Sequence, residues 1–224
     1  GLVTGIAVGT STFTFTSSVS GCVSLPTSPV TINSKPTVSI TGSNQICISA
    51  TTTLAASPVG AGTWTALNPL VASINASTGV VTAVGPGSAQ FTFTDATGCV
   101  SDASSPVTVN IPAPASFTGP STICEGFTTQ LSPVTGGTWL SSNPLIATVN
   151  NAGLVSGIAA GTVKFIFNNT ATGCNSDSLS GTINPKPVVN LVGAGPICID
   201  SSISTTTSIP GGTWVSSNTS IATV

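Results

Sequence analysis

Histidine, methionine and tyrosine are absent from these 224 residues, and only 4% of them are charged. General acid–base catalysis draws mainly on His and carboxylates, yet the acidic residues, Asp95, Asp102, Glu125, Asp177 and Asp200, stand singly along the chain. No dyad or triad can be composed, so no enzyme activity, catalytic residue or cofactor is expected. Calcium asks for six or more oxygens, several of them carboxylate, and zinc for clustered Cys and His; neither pattern occurs, and no metal is expected. Three lysines, Lys35, Lys164 and Lys186, cannot neutralise a run of phosphates, which excludes nucleic acid and an anionic bilayer surface as partners. No apolar run approaches the ~20 residues that cross a bilayer, so no membrane insertion is expected. Any targeting segment is expected outside this stretch.

What is present repeats. Trp64, Trp139 and Trp214 stand 75 residues apart in both steps. The same beat, within a few residues, carries Cys47, Cys124 and Cys198, then Cys22, Cys99 and Cys174, and the triplets that begin at Phe13, Phe91 and Phe165. A period of that size marks a small domain. Within it, short alternating runs such as TVSI, FTFT and VTVNI are separated by GAG, TGG, NPL and TGC. Alternation of period two predicts half-buried strands, the Gly, Asn and Pro clusters predict turns, and no helix is predicted. Strands at such short intervals predict an antiparallel β-sandwich per repeat.

One repeat lays out as PTVSITG, a continuation through Cys47, TTTLAAS, GTWTAL, LVASIN, GVVTAV, SAQFTFTDA and SSPVTVNI. The proline-bearing joints NSKP, NIPAP and NPKP are short and stiff, so the expected architecture is all-β, with tandem Ig-like sandwiches arranged as a rod. The boundaries are 1–34 for the C-terminal half of a domain, 35–111 and 112–185 for complete domains, and 186–224 for an N-terminal half. Half a sandwich leaves strand edges and a core face bare, so both ends call for a head-to-tail neighbour. A longer polypeptide is the simpler source; strand complementation between copies is the other. Abutting Val224 on Gly1 would lack the counterpart of Asn150–Ala152 at the internal junction.

The pattern GGTW.SSNP.IATV...G.V.G...GT..F.F followed by GC resembles the bacterial immunoglobulin-like (Big) domain repeats of large secreted surface and adhesin proteins. The resemblance implies a mechanical or adhesive role outside the cell and says little about a ligand; the partners expected are further copies or continuation of the same chain, and a surface glycan or protein.

Two cysteines per repeat in so uncharged a chain predict disulfides made in an oxidising compartment. Two schemes fit the period. Within a domain, Cys47 pairs with Cys99 and Cys124 with Cys174; across each linker, Cys22 pairs with Cys47, Cys99 with Cys124 and Cys174 with Cys198. The intradomain scheme is preferred, because Cys47 is expected to lie beside the start of the last strand, close to Cys99. Cys22 and Cys198 then bond neighbouring copies.

Trp64, Trp139 and Trp214 are expected as core plugs on the third strand of the sandwich, with exposed sugar-stacking platforms as the competing reading. Phe13/Phe15, Phe91/Phe93 and Phe165/Phe167 face inward by alternation, which turns Thr65, Leu140 and Val215 outward, with Thr14, Thr92 and Ile166. Leu140 and Ile166 are therefore a candidate contact patch. Ser178, in a DSL triplet, and Asn75, Asn168 and Asn218, heading N-x-S/T triplets, are candidate glycosylation sites that would help to solubilise a nearly uncharged surface. The function expected is a structural or adhesive extracellular array that continues head to tail. The alternative is a set of spacer or carbohydrate-binding modules of a secreted carbohydrate-active enzyme.

Overall fold

Alternating threonine and aliphatic residues have one place to put their methyls and rings, the seam between two sheets. In a computed structural model, which describes residues 1–192 and 195–224, this rule produces an all-β chain with no helix among the described residues. Compactness divides the chain into two units. The first holds 1–114 together with 136–138 and 167–177, and the second holds 115–135, 139–166 and 178–224.

Two strands open the chain, β1 (Gly9–Ser11) and β2 (Val30–Ile32), paired antiparallel. The first sandwich then uses β3 (Thr37–Ile40), β4 (Gln45–Cys47), β5 (Thr51–Ser57), β6 (Gly62–Ala66), β7 (Ala72–Ile74), β8 (Val80–Ala83), β9 (Gly87–Ala89), β10 (Phe91–Asp95) and β11 (Val107–Asn110). One sheet runs β3-β5-β8-β7, all antiparallel. Opposite it lie β4-β11-β9 and the pair β10-β6. Leu54, Val81, Ala83, Phe91, Phe93, Val107 and Val109 meet between the sheets as one buried cluster with Trp64. Complete burial of each large member is worth about 1.5–3 kcal/mol.

The second sandwich repeats the plan with β12 (Ser116–Phe117), β13 (Thr122–Cys124), β14 (Thr128–Ser132), β15 (Gly137–Ser141), β16 (Ala147–Val149), β17 (Leu154–Gly157), β18 (Gly161–Asn169) and β19 (Leu179–Asn184). Its sheets are β12-β14-β17-β16 and β13-β19-β18-β15. Two strands close the chain, β20 (Val189–Val192) and β21 (Ser204–Thr207), as an antiparallel pair.

Turns between strands are fixed by side chains that replace water as partners. Asn75 Oδ1 accepts from the N–H groups of Ser77 and Thr78, both at 3.0 Å, which bends the chain into β8. Gly79 follows at φ 70°. A Cβ there would stand 2.7 Å from the carbonyl oxygen of Leu54, so only glycine allows β5 and this turn to approach so closely.

Not every strand pair is antiparallel. β4 lies parallel to β11, with Gln45 opposite Thr108 and Cys47 opposite Asn110, and β13 lies parallel to β19, with Cys124 opposite Asn184. In each sandwich the first cysteine therefore stands beside the end of the last strand.

Candidate functional site

This register decides the sulfur chemistry. Cys99 belongs to the turn that follows β10, where its carbonyl accepts from Asp95 N–H at 3.0 Å. From Asp95 the strand region runs back to Gly87, opposite Val109, near the Cys47 end. At about 3.3 Å per residue that run is ~26 Å long, whereas a disulfide tolerates Cα atoms no farther apart than about 7 Å. The preferred pairing of Cys47 with Cys99 is therefore corrected, and that of Cys124 with Cys174 with it, since Cys124 sits opposite Asn184 at the far end of the strand that Cys174 precedes. The across-linker scheme fails as well, because Cys47 does not bond Cys22.

The bridge that forms joins Cys47 to Cys174, with Cα atoms 5.7 Å apart and a sequence separation of 127. Both cysteines belong to the first compact unit. Cys174 is fully buried, and its Sγ lies 3.9 Å from the carbonyl oxygen of Asn110, the residue that Cys47 faces across the strands. Cys22, Cys99, Cys124 and Cys198 carry free thiols.

The turn that carries Cys99 is built by one carboxylate. Asp95 Oδ1 accepts from Thr97 N–H (2.9 Å), the Thr97 hydroxyl (2.7 Å) and Cys99 N–H (2.9 Å). The Thr97 hydroxyl, then the backbone donors, hold its carboxyl below the usual carboxylate range. Asn169 Oδ1 does the same for the turn before Cys174, accepting from Ala171 and Thr172, and Ser17 Oγ for the turn before Cys22.

A serine two residues beyond each of these cysteines escaped the sequence reading. Phe93 N–H donates to Ser101 Oγ at 3.0 Å, Phe167 N–H to Ser176 Oγ at 3.0 Å and Phe15 N–H to Ser24 Oγ at 3.0 Å. Each hydroxyl in turn donates a hydrogen bond to the carbonyl of the next residue, Asp102, Asp177 or Leu25. The serine thus stands in for a strand where the chain departs from the ladder, and the period C-x-S was the available signal. Ser101→Ala leaves the buried Phe93 N–H without that acceptor and is expected to cost about 1–3 kcal/mol, read from urea unfolding. Ser105→Ala, on the exposed side, is expected to stay within ~0.5 kcal/mol.

Trp64 and Trp139 are buried, at 6% and 4% exposure. Trp64 packs 5.0 Å from Phe93, ring centre to ring centre, and the Trp139 indole N–H donates to the Pro133 carbonyl at 2.9 Å. Trp214 departs from the expected core placement at 41% exposure. The strands that would cover it, counterparts of β17 and β18, do not follow it among the described residues. At the other end Phe13 and Phe15, expected to face inward, are 38% and 71% exposed, and with Leu2, Val3 and Val30 they line an open groove.

Leu140 is exposed at 59% and Ile166 is half-buried, on the neighbouring strands β15 and β18. Ser178, Asn75 and Asn218 are exposed. Asn168 is half-buried, with its Nδ2 donating to Asn175 Oδ1 at 2.8 Å. Among the described residues no three His, Cys, Asp or Glu side chains gather around a common point, and no helix is long and apolar enough to cross a membrane.

No curated protein matches the chain. Among solved structures it is similar to the C-terminal 282-residue fragment of intimin in complex with the translocated intimin receptor (Tir) intimin-binding domain. Identity is 15% and the TM-score 0.46, with 68% of this chain and 65% of that one covered. Invasin, a bacterial integrin-binding protein, matches at 15% identity and a TM-score of 0.44, over 83% of this chain and 48% of its own. Domains 4 and 5 of the S-layer protein SbsC match at 16% identity and a TM-score of 0.30, over 68% and 98%. This chain thus spans just under two thirds of the intimin fragment and about half of invasin. Residues 126–172, which hold Trp139, Gly153 and the Phe165/Phe167 pair, match the family model described as bacterial Ig-like domain (group 2). Over those residues, the module folded around Trp139 is similar to a bacterial immunoglobulin-like domain of that group.

Proposed function

We propose that the chain is part of a secreted, extracellular array of Ig-like repeats that serves as a filament or cell-surface stalk and continues head to tail at both ends. The reading rests on the two end segments. Residues 1–34 carry the landmarks of the second half of a repeat and 186–224 those of the first half, and the side chains that would plug a shared core stand bare in both. Phe15 is 71% exposed where its counterpart Phe167 is 1%, and Trp214 is 41% exposed where Trp139 is 4%. Joining such halves, whether from one longer chain or from successive copies, would cover both faces and their strand edges.

Glycans on Ser178 and on the exposed asparagines would keep so uncharged a surface soluble, and the outward strand pair carrying Leu140 and Ile166 offers a face for a neighbouring subunit, a surface glycan or a protein ligand. The sugar-binding alternative needs open indole faces, and Trp64 and Trp139 present almost none.

Raising the concentration of the purified chain is expected to produce head-to-tail oligomers by light scattering, with tryptophan emission moving to the blue as Trp214 is covered. Particles that stay monomeric, with Trp214 still in water when a second copy of residues 1–34 is fused after Val224, would overturn the proposal.

A further inference from the structure

The cysteine positions form two equivalent classes. Cys47, Cys124 and Cys198 end the strand, or its sequence counterpart, that lies parallel to the last strand, while Cys22, Cys99 and Cys174 end the turn that precedes the last strand. The disulfide in the structure takes one member from each class, and takes them from successive repeats, Cys47 from the first sandwich and Cys174 from the second. The two classes cannot meet within one sandwich, because a full strand length separates them.

We propose that this step is the rule of the array, so that Cys124 bridges to the turn cysteine of the repeat that follows it, and Cys99 to the strand cysteine of the repeat before it. The inference rests on the repeat-array reading above. Every free thiol is then accounted for. Cys124 and Cys198 reach forward, Cys99 and Cys22 reach back, and each partner belongs to a repeat that these residues do not supply in full. If the following repeat is completed by the head of a second copy, its turn cysteine is Cys22 and the one after it is Cys99. The links between copies are then Cys124–Cys22 and Cys198–Cys99, which, with Cys47–Cys174, consume all six cysteines. The array becomes a chain of folded modules in which each joint is spanned by sulfur as well as by peptide.

The test is a disulfide map of the protein isolated from the cells that make it, alkylated at once and digested with pepsin. The expected result is the Cys124 peptide linked to a peptide carrying the G-C turn of the next repeat. With a second copy as the source, that peptide is the one around Cys22, and a non-reducing gel shows a ladder in steps of one chain mass that collapses on reduction. With one longer chain as the source, the linked peptide appears without a ladder. Cys124 recovered as a free thiol, or bridged to Cys99 or Cys174, would overturn the proposal. Filaments, or one longer chain of repeats, that persist while Cys124 is free would remove the staple and leave the array reading intact, whereas isolated single chains with Trp214 exposed and no further repeats would remove both.

Discussion

Replacing Cys47 and Cys174 together by serine is expected to lower the free energy of unfolding the two repeats by about 5 kcal/mol. The bridge closes a loop with a sequence separation of 127, and in the chain-entropy model closing a loop of that size removes about this much conformational freedom from the denatured chain. Loops of the length expected within one domain would give about 4 kcal/mol, so the size of the effect is similar and the identity of the cysteines is what discriminates. Guanidinium unfolding should show the reduced native chain and the double-serine variant coinciding, both below the oxidised chain. In the isolated chain, where Cys99 is a free thiol, Cys99→Ser should leave the oxidised form within ~0.5 kcal/mol, because serine keeps a partner for the Thr97 hydroxyl. Loss of stability in Cys99→Ser and in Cys124→Ser would restore the bridges within the domains.

Strand positions were legible because alternation is a local property. TTTLAAS, GTWTAL and FTFTD declare their buried faces residue by residue, and β5, β6 and β10 form where those runs lie. The cysteine pairing was not legible, because alternation does not say which way a neighbouring strand runs. QIC reads the same beside the start of VTVN as beside its end; the parallel register, Cys47 opposite Asn110, settles it in three dimensions. The C-x-S serines were visible as a period but silent as to role, since a hydroxyl in a Thr- and Ser-rich chain carries no sign that it will accept from a phenylalanine N–H. Leu140 shows the opposite case. The residue after a buried Trp must face outward, and it does, at 59% exposure. What lies against it is a property of another surface and is written nowhere in its own strand.

Phe165→Ala is expected to cost the second sandwich about 3–5 kcal/mol, toward the upper end of that range. The ring is fully buried and meets Phe117 edge to face, with centres 6.3 Å apart. There is no slack around it. A Cβ placed on Gly181 of the neighbouring strand would come within 3.1 Å of Phe165 and 3.3 Å of Phe117, so both rings pack over that glycine too closely to admit even a methyl group. A sandwich of about 70 residues has roughly 4–10 kcal/mol of stability to lose, so this single truncation brings it to the edge of unfolding. Phe117→Ala, at a half-buried position, should cost less, and the double variant should fall short of the sum by about 0.5–1.5 kcal/mol, the share of the ring pair itself. Phe91 occupies the equivalent fully buried place in the first sandwich, and Phe91→Ala should unfold that one instead. Urea titrations followed by circular dichroism and by tryptophan emission would separate the two transitions. A Phe165→Ala chain with both sandwiches at native stability would show that the ring fills no irreplaceable volume, and that the F-x-F period owes its recurrence to something other than the core.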